Sequence, residues 1–501
     1  MKKYIILIVL TLSLINVYSQ TKSYKRGVAY GHHSVADIEE FSKYISWWYN
    51  WAPQPEADIR NIYQYYDVDF VPMAWNNVAI SGVKTWADKD ILGKYLLGFN
   101  EPNFIEQANM TPSESAAAWP DLQKIAEDNN LEIVSPAVNY CGNCVSENGT
   151  TYNNPFTYLD DFFTECADCQ VDFIGLHWYG SGNSIVGYIN NGRKYNKPIW
   201  VTEFASIDYS NPVKNIEDQK KYLAGTVNFL ERDPDVYRYS WFIGRSDGGI
   251  DAFPYIDLYG EDGMLTELGQ LYADIPVYDP EMRIDIPGRI ECEEYYLMSG
   301  LFAEPTEDSD GFLNMGWTDV GDWAEYKISV KKSGTYRLDA RIAGSNGGIL
   351  NFSIDDNSVG NLTTPTTGGW QNWETVSMDI DLEEGDHILK MYVRNDGFNI
   401  NWIEISDVTG TTDYKIIDAQ VYPNPVSSGI VTISLSGVNA GEDYNYGLFD
   451  INGRTILTGV VKPNRFSFQI DLNRKGNIDS GIYYLKLASE NNQVMKKLVI
   501  R

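Results

Sequence analysis

Eight short apolar runs between residues 25 and 276 constrain the fold of this chain more than any other feature. Longer stretches of mixed polarity separate them, and two of these, 111–129 and 215–231, have helical periodicity. Continuous apolar strands that alternate with helices are typical of parallel sheets. Eight such units in about 250 residues predict a (β/α)₈ barrel, or TIM barrel, over residues 20–276. The runs are 26–30, 45–51, 69–75, 95–101, 132–138, 171–179, 198–204 and 237–244.

Two of these runs carry a glutamate at their carboxyl end. Glu101 closes the fourth run, and Glu203 lies near the end of the seventh. Active sites of such barrels lie at the carboxyl ends of the strands, so these carboxylates can face each other across the barrel mouth. Glycoside hydrolysis needs such a pair, because one group protonates the leaving oxygen and the other attacks the anomeric carbon or activates water. The alternative is that both glutamates form structural ion pairs.

Polar and aromatic side chains concentrate near the same strand ends. Aromatic residues make up 14% of the chain, and their flat faces suit the apolar faces of sugar rings. An amide beside Glu101 can bind the sugar 2-hydroxyl. For each aromatic residue the alternative is packing in the core, and for the histidine it is a structural hydrogen bond. The predicted substrate-binding residues are Asn100, Tyr49, Trp51, Trp75, His177, Tyr179 and Trp241.

The charge of the chain limits its partners. There are 69 Asp and Glu against 39 Lys and Arg, which gives a net charge of −30. Such a chain repels nucleic acid, so this class of ligand is excluded, and polyanionic substrates are disfavoured. A neutral polysaccharide fits better, and we expect a monomer that needs no cofactor for catalysis.

The first 19 residues have the organisation of a secretory signal peptide. Lys2 and Lys3 precede an apolar run at 4–17, and small Ser19 lies at the expected cleavage site. The run is too short and too interrupted to span a membrane well, although a membrane anchor is the alternative. We therefore expect a secreted or cell-surface protein with no membrane span in the mature chain.

Five cysteines follow the predicted signal peptide. Cys141 and Cys144, and then Cys166 and Cys169, form two C-x-x-C pairs. Such pairs occur in zinc sites, but export to an oxidising compartment favours disulfides, whose connectivity the sequence leaves open. Cys292 is the odd cysteine and fits a buried position. Only four histidines are present, which argues against a zinc enzyme.

The composition changes near residue 276, where prolines cluster. Short alternating strands bounded by Gly, Asn and Asp then predict an antiparallel β-sandwich, a jelly-roll module, over residues 277–408. Residues 409–501 also contain short strands and predict a small all-β domain. The chain is therefore expected to be multidomain.

Seven segments of the first domain resemble glycoside hydrolase family 128. They are RGVAY, WWYNW, FVPMAW, LLGFNEPN, SPAV, DFIGLHWYG and PIWVTEFA, in this order. The resemblance implies a retaining endo-β-1,3-glucanase on a (β/α)₈ barrel, with Glu101 as general acid/base and Glu203 as nucleophile. Cleavage of another neutral β-glycan, such as mixed-linkage glucan, and a non-catalytic surface glycan-binding protein are the alternatives.

The second domain resembles a family 6 carbohydrate-binding module through GW at 316–317, GDW at 321–323, GGWQNW at 368–373 and FNINW at 398–402. The resemblance implies that Trp317 and Trp373 hold a sugar between them and that Asn401 hydrogen-bonds it. Packing of the two tryptophans in the core is the alternative. It also implies a structural calcium ion, for which the matching residues are Glu291, Glu293 and Asp407.

The last domain resembles the C-terminal sorting domain of the type IX secretion system. The segments that carry the resemblance are VYPNP at 421–425, GLFDINGRTI at 447–456, DSGIYYLK at 479–486 and KKLVIR at 496–501. The resemblance implies export across an outer membrane, with the secretion machinery as a partner. A plain accessory sandwich is the alternative.

Overall fold

A computed structural model of the chain shows two compact units, Met1–Ser406 and Asp407–Arg501. Each unit is considered by itself below. The predicted signal peptide at 1–19 lies outside the described residues. The structure describes residues 22–87, 93–207, 213–246, 255–309, 311–408, 415–416, 418–426, 429–436, 444–450, 454–461, 467–472, 478, 480–489 and 492–500.

The first half of the first unit alternates strands with helices, as its sequence predicts. The strands are β1 Arg26–Ala29, β2 Trp47–Tyr49, β3 Asp69–Phe70, β4 Tyr95–Leu97, β5 Glu132–Val134, β6 Ser146–Glu147, β7 Thr150–Thr151, β8 Ile174–Trp178, β9 Ile199–Phe204 and β10 Val236–Phe242. The helices are α1 Val35–Phe41, α2 Ile80–Ala87, α3 Pro112–Asp128, α4 Pro155–Glu165, α5 Ile185–Gly192, α6 Ile216–Arg232 and α7 Glu267–Asp274. Short 3₁₀ helices cover Tyr63–Tyr66, Asn77–Ala79 and Arg193–Tyr195.

The parallel strands follow one another around a ring. One sheet has the order β3-β2-β1-β10-β9-β8, and β4 pairs with β5. Parallel bridges join the remaining edges, Met73 to Leu97 and Val134 to Phe173. Within the described residues, eight parallel strands therefore close on themselves, and β6 and β7 form a separate hairpin. All the carboxyl ends of the ring consequently lie on one side.

Side chains of the ring strands form two layers, because successive residues of a strand point to opposite faces. Trp47 and Tyr49 belong to the inner layer, whereas Trp48 packs in the outer layer against the helices. The inner layer comprises Ala29, Trp47, Tyr49, Val71, Met73, Tyr95, Leu97, Val134, Phe173 and Trp200.

The second half of the first unit is all-β, as predicted. Its two six-stranded sheets have the paths β11-β16-β21-β18-β19, with β13 on β16, and β14-β15-β22-β17-β20, with β12 on β22. Their facing side chains form one apolar core. The strands are β11 Ile284–Ile286, β12 Gly288–Glu291, β13 Leu297–Ser299, β14 Phe302–Pro305, β15 Leu313–Gly316, β16 Trp323–Val330, β17 Gly334–Gly344, β18 Gly348–Ile354, β19 Asn357–Thr364, β20 Trp373–Leu382, β21 Gly385–Asn395 and β22 Phe398–Asp407.

The second unit is also all-β. Its sheets have the orders β23-β30-β29-β26-β27 and β24-β25-β28. Across the described parts of the chain, no helix has the length and apolar character that crossing a membrane requires. The strands are β23 Lys415–Ile416, β24 Asp418–Tyr422, β25 Ile430–Ser436, β26 Tyr444–Phe449, β27 Thr455–Val461, β28 Ser467–Asp471, β29 Gly481–Ala488 and β30 Asn492–Ile500.

Candidate active site

A cleft of about 1080 Å³ opens at the carboxyl ends of the ring strands. Both predicted catalytic glutamates line it, together with four of the seven predicted substrate-binding residues. The lining residues are Trp51, Trp75, Asn100, Glu101, Phe104, Glu106, Gln107, Asn139, Tyr140, Gly142, Asn143, Trp178, Tyr179, Gly180, Glu203, Ile207, Phe242 and Ile243.

Glu101 is held at the wall of this cleft by the backbone of the neighbouring strand. Its amide nitrogen donates to the carbonyl of Ala137 at 2.8 Å. Its φ is 41°, in the left-handed region that a side chain disfavours, and its side chain is largely buried. Backbone strain of this kind costs about 1–3 kcal/mol and persists where the surrounding structure enforces it. The fold therefore fixes the direction of this carboxyl group.

Glu203, in β9, accepts hydrogen bonds on both carboxylate oxygens. The Tyr49 hydroxyl and the Trp51 indole N–H each donate to Oε1 at 2.7 Å, and the Tyr179 hydroxyl donates to Oε2. Burial, followed by the charge of Glu203, holds the pKa of both tyrosines well above 10. Both phenols thus keep their protons at working pH. Three neutral donors therefore fix the orientation of the Glu203 carboxylate.

His177 lies between the two glutamates. It is the register partner of Glu203 in the adjacent strand β8. Its Nδ1 lies 2.9 Å from an oxygen of Glu101 and 3.2 Å from an oxygen of Glu203. Burial opposes the imidazolium, but the charges of Glu203 and Glu101 outweigh it and raise the pKa of His177 above its ordinary value. His177 is fully buried and does not line the cleft, so it positions the carboxylates rather than contacting a ligand.

The two glutamates and His177 form a compact cluster. One ligand atom from each lies within 4.8 Å of the others. In the described residues, this is also the only trio of His, Cys or carboxylate side chains close enough to hold a metal ion. The oxygens of Glu203 already accept hydrogen bonds from Tyr49, Trp51 and Tyr179, so a metal ion bound to them would compete with these donors.

The structure contradicts the prediction for Trp241. This side chain is fully buried, its indole N–H donates to the carbonyl of Ile256 at 2.8 Å, and it packs against Phe204 and Tyr222. It is in register with Val28, which belongs to the outer layer. Trp241 therefore points away from the cleft and stabilises the contact between the strands and helices.

Sequence reasoning missed part of the cleft wall. Phe104, Phe242 and Tyr140 line it. Phe104 and Tyr140 lie outside the predicted strand runs, whereas Phe242 follows the selected Trp241 directly in the last run. Tyr140 adjoins a disulfide between Cys141 and Cys144, and Cys166 pairs with Cys169. The neighbouring C-x-x-C motif was the one signal that could have directed attention to Tyr140.

The module residues agree with the sequence only in part. Trp317 is 47% exposed, whereas Trp373 is half-buried and donates to Gln371. Trp370, which the sequence analysis did not select, is 49% exposed. Asn401 is fully buried and donates to Asp308 at 3.0 Å. The prediction that Asn401 lines an open sugar site is wrong for this conformation, because the segment around Asp308 covers it.

The predicted calcium ligands do not all meet. Glu293 is buried, and within the described residues its Oε2 has no hydrogen-bond partner. Burial, followed by the charge of Glu291, raises the pKa of Glu293 to about 8. Glu291 lies opposite Trp402 in the adjacent strand β22. Asp407 lies five residues beyond Trp402, which places Asp407 about 17 Å farther along β22. Including Asp407 in the site was therefore wrong, while Glu291 and Glu293 keep the oxygen chemistry that calcium prefers.

Three family models match successive parts of the chain. Residues 27–272 match the glycosyl hydrolase catalytic core, residues 291–407 match the carbohydrate binding module of family 6, and residues 420–501 match the secretion system C-terminal sorting domain. The last match supports a secreted or cell-surface location. The chain thus combines a catalytic core, a polysaccharide-binding module and a sorting domain.

A solved structure decides the family of the catalytic core. An endo-β-1,3-glucanase of glycoside hydrolase family 128, subgroup II, from Pseudomonas viridiflava is 38% identical over 51% of this chain and 100% of that one, with a TM-score of 0.46. The chain belongs to glycoside hydrolase family 128. This assignment follows from the sequence identity over that whole chain.

Two further relatives match parts of this family 128 protein. A family 6 module of Cellvibrio mixtus lichenase 5A, solved with cellotriose, is 34% identical over 24% of this chain and 98% of that module, with a TM-score of 0.24. Alkali-sensitive linkage protein 1 of Schizosaccharomyces pombe is 27% identical over 239 residues. These residues make up 46% of this chain and 40% of the length of that curated relative.

Proposed function

We propose that this protein is a secreted, retaining endo-β-1,3-glucanase that hydrolyses laminarin- or curdlan-like glucan, and that its ring of strands is a (β/α)₈ barrel. The observation that carries the proposal is the buried pair Glu101 and Glu203, bridged by His177 at the mouth of an aromatic cleft. The similar family 128 protein of Pseudomonas viridiflava is itself an endo-β-1,3-glucanase.

In the first step, Glu203 attacks the anomeric carbon while Glu101 donates its proton to the leaving glycosyl oxygen. The hydrogen bonds from Tyr49, Trp51 and Tyr179 hold the Glu203 carboxylate in one orientation. The products of this step are a shortened glucan chain, a glycosyl ester on Glu203 and an ionised Glu101. Retaining enzymes hold their two carboxyl groups about 5–5.5 Å apart, whereas inverting enzymes space them more widely. One oxygen of Glu101 lies within 4.8 Å of one oxygen of Glu203, and this short distance supports the retaining mechanism.

In the second step, Glu101 takes a proton from water, and the water oxygen displaces Glu203 with net retention of configuration. Asn100 lines the cleft beside Glu101, where its amide can bind the 2-hydroxyl of the reacting sugar. Such a bond strengthens in the transition state. Trp51 and Trp75 supply aromatic faces on which the sugars stack.

The proposal extends to export and to calcium. A signal peptide at 1–19 and the sorting domain would deliver a monomer to the cell surface or the medium through the type IX machinery. Glu291 and Glu293 would hold a structural calcium ion in the module, because a cation satisfies the buried Oε2 of Glu293. Catalysis needs no cofactor in this account.

The proposal is tested by reducing-sugar release from linear β-1,3-glucan. We expect activity in the wild type, loss of turnover in Glu203→Gln and Glu101→Gln, and full activity in Glu132→Gln, whose carboxylate lies at the start of β5 and pairs with Lys94. Activity that a chelator abolishes and that a transition metal restores, while calcium does not, would point to metal chemistry at the glutamate cluster. Cleavage of mixed-linkage glucan alone would reassign the substrate, and binding without turnover by the wild type would leave a glycan-binding protein.

A further inference from the structure

The catalytic domain and the module share an interlocked, buried interface. Gly225 of α6 packs on β14 so closely that a Cβ atom there would lie 2.1 Å from the ring of Phe302 and 2.3 Å from the Ala303 carbonyl oxygen. Phe302 is a member of the catalytic domain's apolar core, although it belongs to a module strand. Ala224 of α6 is conversely a member of the module's core. This interdigitation fixes the two domains relative to each other.

Buried polar contacts add direction to the interface. Arg232 at the end of α6 donates to the Tyr295 carbonyl at 2.7 Å, and its guanidinium lies over the rings of Tyr278 and Tyr295. Asn228 donates to the carbonyl of Glu293 at 3.1 Å. Directional bonds of this kind select one docking geometry, whereas a flexible tether would leave these groups in water.

This geometry brings an exposed aromatic residue of the module, Trp317, near the loop that follows β8. The ring of Trp317 stands edge-on to the ring of Phe302, with centroids 5.5 Å apart. Phe302 in turn lies next to Gly182, since a Cβ atom added to Gly182 would be 3.2 Å from the Phe302 ring. Gly182 belongs to the loop after β8 that carries Tyr179, a residue of the cleft. The Trp317 ring therefore lies within about 25 Å of the Tyr179 Cα.

We propose that Trp317 is a distal subsite of the catalytic cleft, so that one glucan chain is held at the cleft and at the module simultaneously. The proposal rests on the proposed glucanase activity and deepens it. Trp317 is 47% exposed. Its backbone φ of 52° lies in the left-handed region that a side chain disfavours, so the surrounding structure enforces this conformation of the residue. A fixed second contact raises the effective concentration of a long chain at the cleft.

The test uses soluble linear β-1,3-gluco-oligosaccharides of graded length, labelled at the reducing end, with the full-length protein. Below a threshold length, wild type and Trp317→Ala should have equal kcat/KM. Above it, the wild type should gain about 10-fold and cut at a preferred distance from one chain end, while Trp317→Ala gains nothing and cuts without preference. Tyr65→Ala is the control, because it also removes an exposed aromatic side chain, but one that does not line the cleft and does not belong to the module. It should behave as the wild type.

Gly225→Leu supplies a second variant, because it keeps Trp317 but disturbs the docking geometry. It should retain the short-substrate rate and lose the length dependence. Equal length dependence in the wild type and Trp317→Ala, or an equal loss by Trp317→Ala at every length, would overturn the distal subsite while the glucanase activity stands. Failure of the wild type to cleave any of these oligosaccharides would overturn both proposals.

Discussion

Replacing Tyr49 by Phe removes one hydrogen bond from the proposed nucleophile and leaves its volume in place. The Tyr49 hydroxyl is fully buried and lies 2.7 Å from Oε1 of Glu203. A hydrogen bond to a charged group contributes about 1.5–3 kcal/mol, and the variant should lose this contact, which orients the proposed nucleophile. Since about 1.36 kcal/mol in the activation free energy corresponds to a tenfold change in rate, kcat/KM should fall by about 10- to 100-fold.

The assay is kcat/KM on a soluble β-1,3-gluco-oligosaccharide, measured at the pH optimum of each enzyme. Tyr158→Phe is the matched control, because Tyr158 is equally buried but bonds Ser115 and the Met110 carbonyl instead of the glutamates. An unchanged kcat/KM in Tyr49→Phe, or the same loss in Tyr158→Phe, would refute the assigned role of this contact.

Three further outcomes are expected. Asn100→Ala should lower kcat/KM by about 100-fold if its amide contributes about 3 kcal/mol at the 2-hydroxyl, and an equal loss on a 2-deoxy substrate would contradict this. Because the pKa of His177 is raised, the folded protein binds its proton more tightly than the unfolded chain does. This proton therefore stabilises the fold below pH 6.5, and the stabilisation fades as pH rises. Wild type and His177→Gln should accordingly differ more in Tm at pH 6 than at pH 9. Without calcium, the module should lose stability as pH rises from 4.5 to about 8, because Glu293 must ionise while it is buried. Glu293→Gln should flatten this pH dependence, and added calcium should no longer stabilise the variant.

The sequence predicts the order of the elements better than the direction of their side chains. The eight apolar runs all contain strands, and the helical stretch at 111–129 is α3. The structure adds that a capping box of Thr111 and Glu114 begins this helix. The direction of Trp241 could not be predicted in the same way. Strands buried on both faces lack the polar–apolar alternation that would separate the inner layer from the outer one.

The candidate site shows a similar division. Motifs at strand ends place Glu101 and Glu203 together, since topology alone brings parallel strand ends to one side. The bridging position of His177 depends on the register between β8 and β9, which has an irregularity at Leu176 and His177. Such local register shifts leave no mark in composition or periodicity.

The module illustrates the limit set by loops. Exposure of Trp370 and burial of Asn401 both depend on loops that lie over the sheet. Asp308 accepts a bond from Asn401 and also pairs with Arg341 at 2.8 Å, so one charged residue fixes the segment that covers Asn401. Contacts between residues so far apart in sequence require the folded structure.

Trapping the glycosyl-enzyme tests the central claim most directly. A 2-deoxy-2-fluoro β-1,3-linked disaccharyl fluoride lets the nucleophile react but slows release of the sugar. Peptide mass mapping of the wild type should locate the added sugar on Glu203, and Glu203→Gln should carry none. A sugar on Glu101, or no adduct from a wild type that hydrolyses β-1,3-glucan, would contradict the account.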